Sequence, residues 1–237
     1  MTAPRVVSLV PSVTETLLAL GCPPIACTRF CEQPSIRAVG GTKDPDVAAI
    51  VALGPDVVVM NDEENRRDDF AALRAADVTV VAVSPRSVAD VGAAVCTLAD
   101  LVGVEPPEPF GAWDAWVAAR GSAVAQGVAV TMVWRRPWMA LGRDTYGASV
   151  LAALGYATPF ADDRYPEVTL DQVHQLRPAA VLLPSEPYPF AVRHLAEVHD
   201  GVPGPEVVLV DGQDLLWWGI RTPDAVTRLA AQLPRTG

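Results

Sequence analysis

The sequence predicts an α/β protein built of two Rossmann-like lobes joined by a single long helix. Three observations carry that expectation. Short continuous apolar runs, such as Asp56 to Met60 and Ala179 to Leu183, alternate with amphipathic segments, the pattern of a parallel sheet covered on both faces. The alternation occurs once before residue 105 and again after residue 127. Between them, Gly103-Val104-Glu105-Pro106-Pro107-Glu108-Pro109 crowds three prolines into four positions, where no helix can continue. The expected division is an N-terminal lobe at 1–105, a linking helix within 106–126 and a C-terminal lobe at 127–237.

The elements follow in order. Arg5 to Val10 reads as an apolar strand. Ser12 stands where a helix begins, and Glu15 three residues later completes a capping box. Leu17, Leu18 and Leu20 give that helix its buried side, and Gly21 ends it as a residue free to adopt positive φ. A short strand is expected near Ile25 to Thr28, a helix over Asp46 to Leu53 with Gly54-Pro55 as its stop, and a buried strand over Asp56 to Met60. Arg66 to Ala76 is helical, Val78 to Val83 is a strand, and Ser87 to Val102 is a helix. Phe110 to Gln126 is the long linking helix, with Trp113, Trp116 and Val117 on one side. The second lobe repeats the plan. Its strands are Val128 to Trp134, Ala179 to Leu183 and Val207 to Val210. Its helices are Thr145 to Leu154, Thr169 to Leu176, Phe190 to Val198 and Pro223 to Leu233.

Composition excludes several classes. The net charge of −10 on 237 residues repels nucleic-acid phosphates. No apolar run approaches the roughly 20 residues of a membrane-spanning helix. No charged leader with an apolar stretch and a cleavage site opens the sequence. As read, that places the chain in the cytoplasm, and outside it if a leader precedes Met1. Cys22, Cys27, Cys31 and Cys96 match no common zinc spacing and read as reduced, buried thiols, with a Cys27–Cys31 disulfide as the alternative in an oxidising compartment.

Enzyme signatures are missing. There is no G-x-G-x-x-G after a strand and no P-loop, and Gly147-Ala148-Ser149-Val150 lacks the second glycine of a nucleophile elbow. His194 and His199 are five apart, about 140° around a helix at about 100° per residue, a poor metal pair that reads as surface histidines. Asp62, Glu63 and Glu64 follow a strand's C-terminal end, where ligands bind in open α/β sheets. They are acid–base candidates, although capping and charging the next helix is the plainer account.

The second half carries a richer constellation. Trp134-Arg135-Arg136-Pro137-Trp138 leaves one strand, and Trp217-Trp218-Gly219-Ile220-Arg221 follows another. Tyr165 and Tyr188, each beside proline, add aromatic surface, and Arg143 adds a fourth arginine. Large rings there make an apolar cleft wall, and guanidinium groups supply fixed donors for an anionic rim. In the first half, Pro11 and Ser12 open a helix with free backbone N–H groups. Phe30 follows the second strand, and Gly41 lies in a tight turn.

Val7-Ser8-Leu9-Val10-Pro11-Ser12-Val13-Thr14-Glu15, with Leu20-Gly21, resembles the opening of the cobalamin and iron-siderophore class of ABC-importer substrate-binding proteins. Val39-Gly40-Gly41-Thr42 and Leu53-Gly54-Pro55-Asp56-Val57-Val58 resemble its next segments. The second half is similar to its helical-backbone metal-receptor, cobalamin-binding branch. The matching runs are Trp134 to Met139, Asp144-Thr145-Tyr146, Arg164 to Val168, Pro184 to Phe190, Asp211-Gly212 and Trp217 to Arg221. The resemblance implies a ligand held between two lobes, limited lobe motion, and delivery to a membrane permease through an acidic side chain on each lobe: Glu63 or Glu64, and Asp171. The expected function is therefore non-enzymatic binding of a cobalamin-like corrinoid or ferric siderophore by a monomer. No resident cofactor, protein-bound metal, catalytic residue, nucleic-acid partner or membrane insertion is expected. The expected ligand contacts are Pro11, Ser12, Phe30, Gly41, Arg135, Arg136, Trp138, Arg143, Tyr165, Tyr188, Trp217, Trp218 and Arg221. The alternative is a cytoplasmic enzyme or sensor acting on such a chelate with the same residues.

Overall fold

The computed structural model describes residues 3–120, 123–161 and 163–234. The chain folds as two compact units. One comprises residues up to Pro85 together with Asp90–Asp114; the other comprises Arg86–Ala89 and Ala115 onward.

The first unit contains β1 (Val6–Ser8), α1 (Pro11–Ala19), β2 (Ala26–Cys27), β3 (Arg37–Ala38), α2 (Val47–Ala52), β4 (Val57–Met60), α3 (Arg67–Ala75), β5 (Val80–Ala82) and α4 (Val91–Val102). Its sheet is parallel, in the order β3-β2-β1-β4-β5. β1 and β4 are buried along their whole length, as continuous valine runs demand when both faces are covered. Val7, Leu9, Ala26, Ile50, Val58, Met60 and Leu73 form one core. Truncating a residue such as Leu73 to alanine would cost about 2–5 kcal/mol in lost burial and cavity formation.

Two local expectations change here. α1 starts at Pro11, not after Ser12: Val10 occupies the N-cap and no side chain caps the helix. Proline's fixed φ suits the first helical position, where its missing N–H costs nothing. Ser12 is thereby drawn inside the helix and the expected capping box does not form. The linking helix is also shorter than expected. A 3-10 turn at Phe110–Ala112 leads into α5 (Trp113–Arg120), Gly121 and Ser122 lie outside the described residues, and the next strand begins at Gly127. Residues 123–126 are not helical, so the helix expected through Gln126 does not reach it. The boundary between units falls within α5, after Asp114. Trp113 belongs to the first unit, stacked on Phe110 at 5.1 Å.

The second unit contains β6 (Gly127–Trp134), β7 (Met139–Ala140), α6 (Tyr146–Ala153), β8 (Tyr156–Ala157), α7 (Leu170–Gln175), β9 (Ala180–Pro184), α8 (Leu195–Gly201), β10 (Glu206–Val210), α9 (Gly212–Leu216) and α10 (Thr222–Gln232). β10, β9 and β6 are parallel neighbours, β8 pairs in parallel with the start of β6, and β7 folds back antiparallel on its end. The hairpin strand β7 and the short α9 were not expected; both are too short for periodicity to reveal. Thr145 caps α6, and Thr169 with Gln172 forms a true capping box on α7.

Candidate functional site

In an open α/β sheet, ligands bind beyond the carboxyl ends of strands where the chain reverses its direction of travel across the sheet. In the first unit the chain starts at β1, moves out to β2 and β3, then returns to β4 and β5. The switch point lies between β1 and β4. Two buried asparagines fasten the loops there. The Asn65 side-chain amide donates to the Leu9 carbonyl at 3.0 Å and the Thr42 carbonyl at 2.9 Å, and its oxygen accepts from the Asn61 N–H at 2.8 Å. Asn61 donates to the Val83 carbonyl at 3.1 Å and accepts from the Glu63 and Glu64 N–H groups. The amides of this segment, not the carboxylates that the sequence offers as candidates, tie its loops together, and an asparagine directly after a buried strand is the sequence signal for them.

The expected contacts of this unit divide. Phe30 is 50% exposed, on a 3-10 turn capped by Thr28, with the Arg29 guanidinium 4.9 Å from its ring centre. Gly41 is buried, and a Cβ there would meet the Arg29 guanidinium at 2.7 Å as well as the Asp44 carboxylate. Its smallness therefore serves the Arg29–Asp44 ion pair at 2.9 Å, and as a buried residue it offers little contact surface. Pro11 is buried, and Ser12 is 1% exposed with its hydroxyl unpartnered. Glu63 and Glu64 are half-buried, with the Glu63 carbonyl accepting from Lys43 Nζ at 2.6 Å.

In the second unit, β6 is the switch strand: β8 lies on one side of it, β9 and β10 on the other. An aromatic platform stands at the carboxyl ends of β6 and β9. Trp134, 43% exposed, meets Tyr188 edge-on at 5.6 Å. Tyr188 tilts against Phe190 at 4.7 Å, and Trp138 stacks on Phe190 at 6.1 Å. His194 closes the group edge-on to both Tyr188 and Phe190 at 5.5 Å. Such ring pairs add about 0.5–1.5 kcal/mol each beyond their buried area. Arg135 lies 5.8 Å from the Trp138 ring centre and is held by Glu197 at 2.7 Å.

His194 corrects the expectation of a surface histidine: it is 4% exposed. Burial, followed by the nearby Arg193 and Arg135 guanidiniums, holds its pKa below the usual imidazole range. Its Nδ1 accepts the Ala191 N–H at 3.0 Å, which places the ring proton of the neutral form on Nε2.

The other predicted residues stand apart from the platform. Trp218, expected as a wall residue, is 3% exposed and offers little surface to a ligand. Trp217 is half-buried, 5.1 Å from the Arg221 guanidinium. Arg221 in turn is tied to Asp214 at 3.1 Å and to Gln213 at 3.0 Å. Arg143 donates to the Thr158 carbonyl at 2.9 Å. Tyr165 packs on the cluster of Val133, Leu141 and Ala148. Asp171 is exposed in the first turn of α7. Three of the four arginines counted as free donors are thus engaged; Arg136 has no partner among the described residues. It is exposed, with φ of 70°, a conformation that a non-glycine residue adopts only at a cost.

Fold and side-chain placement together define a two-unit α/β protein with its aromatic and cationic groups on the carboxyl edges of parallel sheets. The chain belongs to the periplasmic binding protein family, whose profile matches residues 6–183. It is similar to the vitamin B12-binding proteins of Salmonella paratyphi A and Salmonella typhimurium, each 28% identical across 76% of this chain and 72% of the relative. Among solved structures it resembles the periplasmic vitamin B12 binding protein BtuF of Vibrio cholerae, with a TM-score of 0.79 at 19% identity over 97% of this chain and 96% of that one. It also resembles a periplasmic heme binding protein from Pseudomonas aeruginosa, with a TM-score of 0.78 at 21% identity over the full length of both. Among the described residues no helix is long and apolar enough to cross a membrane.

Proposed function

We propose that the chain is a non-enzymatic receptor for a metal-bearing small molecule, a corrinoid or ferric chelate, and serves as the substrate-binding component of an ABC importer. The observation that carries the reading is the aromatic platform of Trp134, Trp138, Tyr188 and Phe190 at the switch point of the second unit. A wide, partly apolar ligand needs a broad rigid wall, and rings that already stack on one another lose little freedom on binding. Trp134 joins Trp138 and Tyr188 as a contact, with Arg136 as the platform's free cation. A strained residue beside such a surface is what function maintains. Phe30 supplies an exposed ring at the edge of the first unit. Trp217, Arg221, Arg143 and Tyr165 remain proposed contacts of lesser weight, since each is engaged within its own unit. Glu63 or Glu64, and Asp171, are the proposed permease contacts.

Similarity to both vitamin B12- and heme-binding proteins supports the chelate class. Within it, the His194 tautomer speaks against heme ligation at this residue. An iron bond at Nε2 would require moving the proton to Nδ1, which already accepts from Ala191. The reading as an enzyme or sensor gains no support from the relatives, which are binding proteins. The test is calorimetric titration with cyanocobalamin, dicyanocobinamide, hemin and ferric siderophores, followed by recovery of the ligand. Binding with the ligand recovered unchanged is expected; conversion of the ligand would favour the enzyme.

A further inference from the structure

We propose that the N-terminal turn of α1 is an oxyanion subsite, built to take a carboxylate or phosphate oxygen of the ligand. The inference rests on the receptor reading for what carries the oxyanion, but the subsite itself rests on three features of the first unit.

The turn has spare donors. Proline at its first position has no N–H, and the Thr14 N–H is spent on the Val10 carbonyl at 3.0 Å. The Ser12 and Val13 N–H groups find no acceptor among the described residues. The Ser12 hydroxyl likewise has no partner, although the residue is 1% exposed. Side chains on a helix lean toward its N-terminus, so this hydroxyl at the second helical position points to the same end as the two N–H groups.

The surrounding polar groups are satisfied. Ser8 Oγ donates to the Val10 carbonyl at 3.0 Å, and Thr14 Oγ1 lies 2.8 Å from Ser8 Oγ and 3.2 Å from Cys31 Sγ. Asn65 occupies the Leu9 carbonyl. Where nearly every buried polar atom is paired, an orphaned hydroxyl beside two orphaned amides marks a place for an external acceptor. No side chain caps the turn, so no side chain among the described residues competes for it.

The position fits the chemistry. α1 follows β1 at the switch point, where a helix N-terminus with its partial positive charge is suited to bind an anion. Burial strengthens a charge-assisted hydrogen bond. This also relocates the expected recognition of an anionic group, since three of the four arginines offered for it are already engaged.

The experiment uses the full chain labelled with nitrogen-15 and follows the Ser12 and Val13 amide resonances during titration with inorganic phosphate and, separately, acetate, against sodium chloride as control. Saturable shifts of both amides with at least one oxyanion, weakened about fivefold or more in Ser12→Ala, are expected. A preference for phosphate points to a phosphate-bearing ligand and a preference for acetate to a carboxylate; either supports the subsite. Shifts no different from chloride mean that the turn holds water only and overturn it, as does an unchanged response in a folded Ser12→Ala. A second arm compares cyanocobalamin with dicyanocobinamide, which lacks the phosphodiester. Failure of both to bind would count against the receptor reading and leave the oxyanion result standing.

Discussion

Asp214 shows how a single residue in the second unit sets both stability and pH response. It is buried and accepts from Arg221 and Arg228, the latter at 2.6 and 2.7 Å. Hydrogen bonding from Arg228 is the largest cause holding its pKa below the ordinary carboxylate range, against the opposing effect of burial. Asp214→Asn should cost about 3–5 kcal/mol in urea unfolding, because it leaves the Arg221 guanidinium, only 14% exposed, without its counter-ion. Arg228→Ala should cost about 1 kcal/mol or less, its side chain being half exposed. The sign of the pH effect follows from the depressed value. The unfolded carboxyl binds its proton first, so the Asp214 contribution is complete above about pH 4 and lost as pH falls through the lower folded value. His194 acts in a separate window. Its folded pKa is also depressed, so its contribution is complete above about pH 6.5 and declines below that. Unfolding free energies measured from pH 7 to pH 5 should fall in the native chain and fall less in His194→Gln; equal slopes would contradict the assignment.

At the scale of elements, close packing makes the sharpest demands where a helix passes a ring. A Cβ on Gly92 of α4 would collide with the Trp113 side chain. Gly92→Ala should therefore destabilise the first unit by about 1–3 kcal/mol, despite alanine's better helix propensity. A thermal shift in the opposite direction would show that Trp113 yields easily. Much of this level was legible beforehand. The continuous valine runs of β1 and β4 and the apolar run of β9 announced parallel strands, and Gly21 ends α1 with φ of 75° as expected. What escaped has physical reasons. Serine favours the N-cap, but Pro11 takes the first helical position and moves the start of α1 upstream of Ser12. Asn61 and Asn65 act through contacts 22 to 56 residues away along the chain, so the sequence marks their place after a strand but not their partners. The Trp134–Tyr188–Phe190 platform joins two loops by strand order alone. Trp218 could not be told from Trp217 in the sequence, yet tertiary packing buries it.

Across the whole molecule, the proposed recognition of a chelate by this periplasmic binding protein family member depends chiefly on the ring platform of its second unit. The most direct measurement is calorimetric affinity for the tightest-binding member of the cobalamin, cobinamide, hemin and ferric siderophore panel, in the native chain and in Trp134→Ala, Trp138→Ala and Trp218→Phe. Loss of a buried aromatic contact should weaken binding by about 1–3 kcal/mol in each of the first two, roughly 5- to 150-fold. The Trp218 variant, altering a ring that is only 3% exposed, should bind as the native chain does. Binding of none of these chelates, or equal affinity in the native chain and in folded Trp134→Ala and Trp138→Ala, would contradict the account.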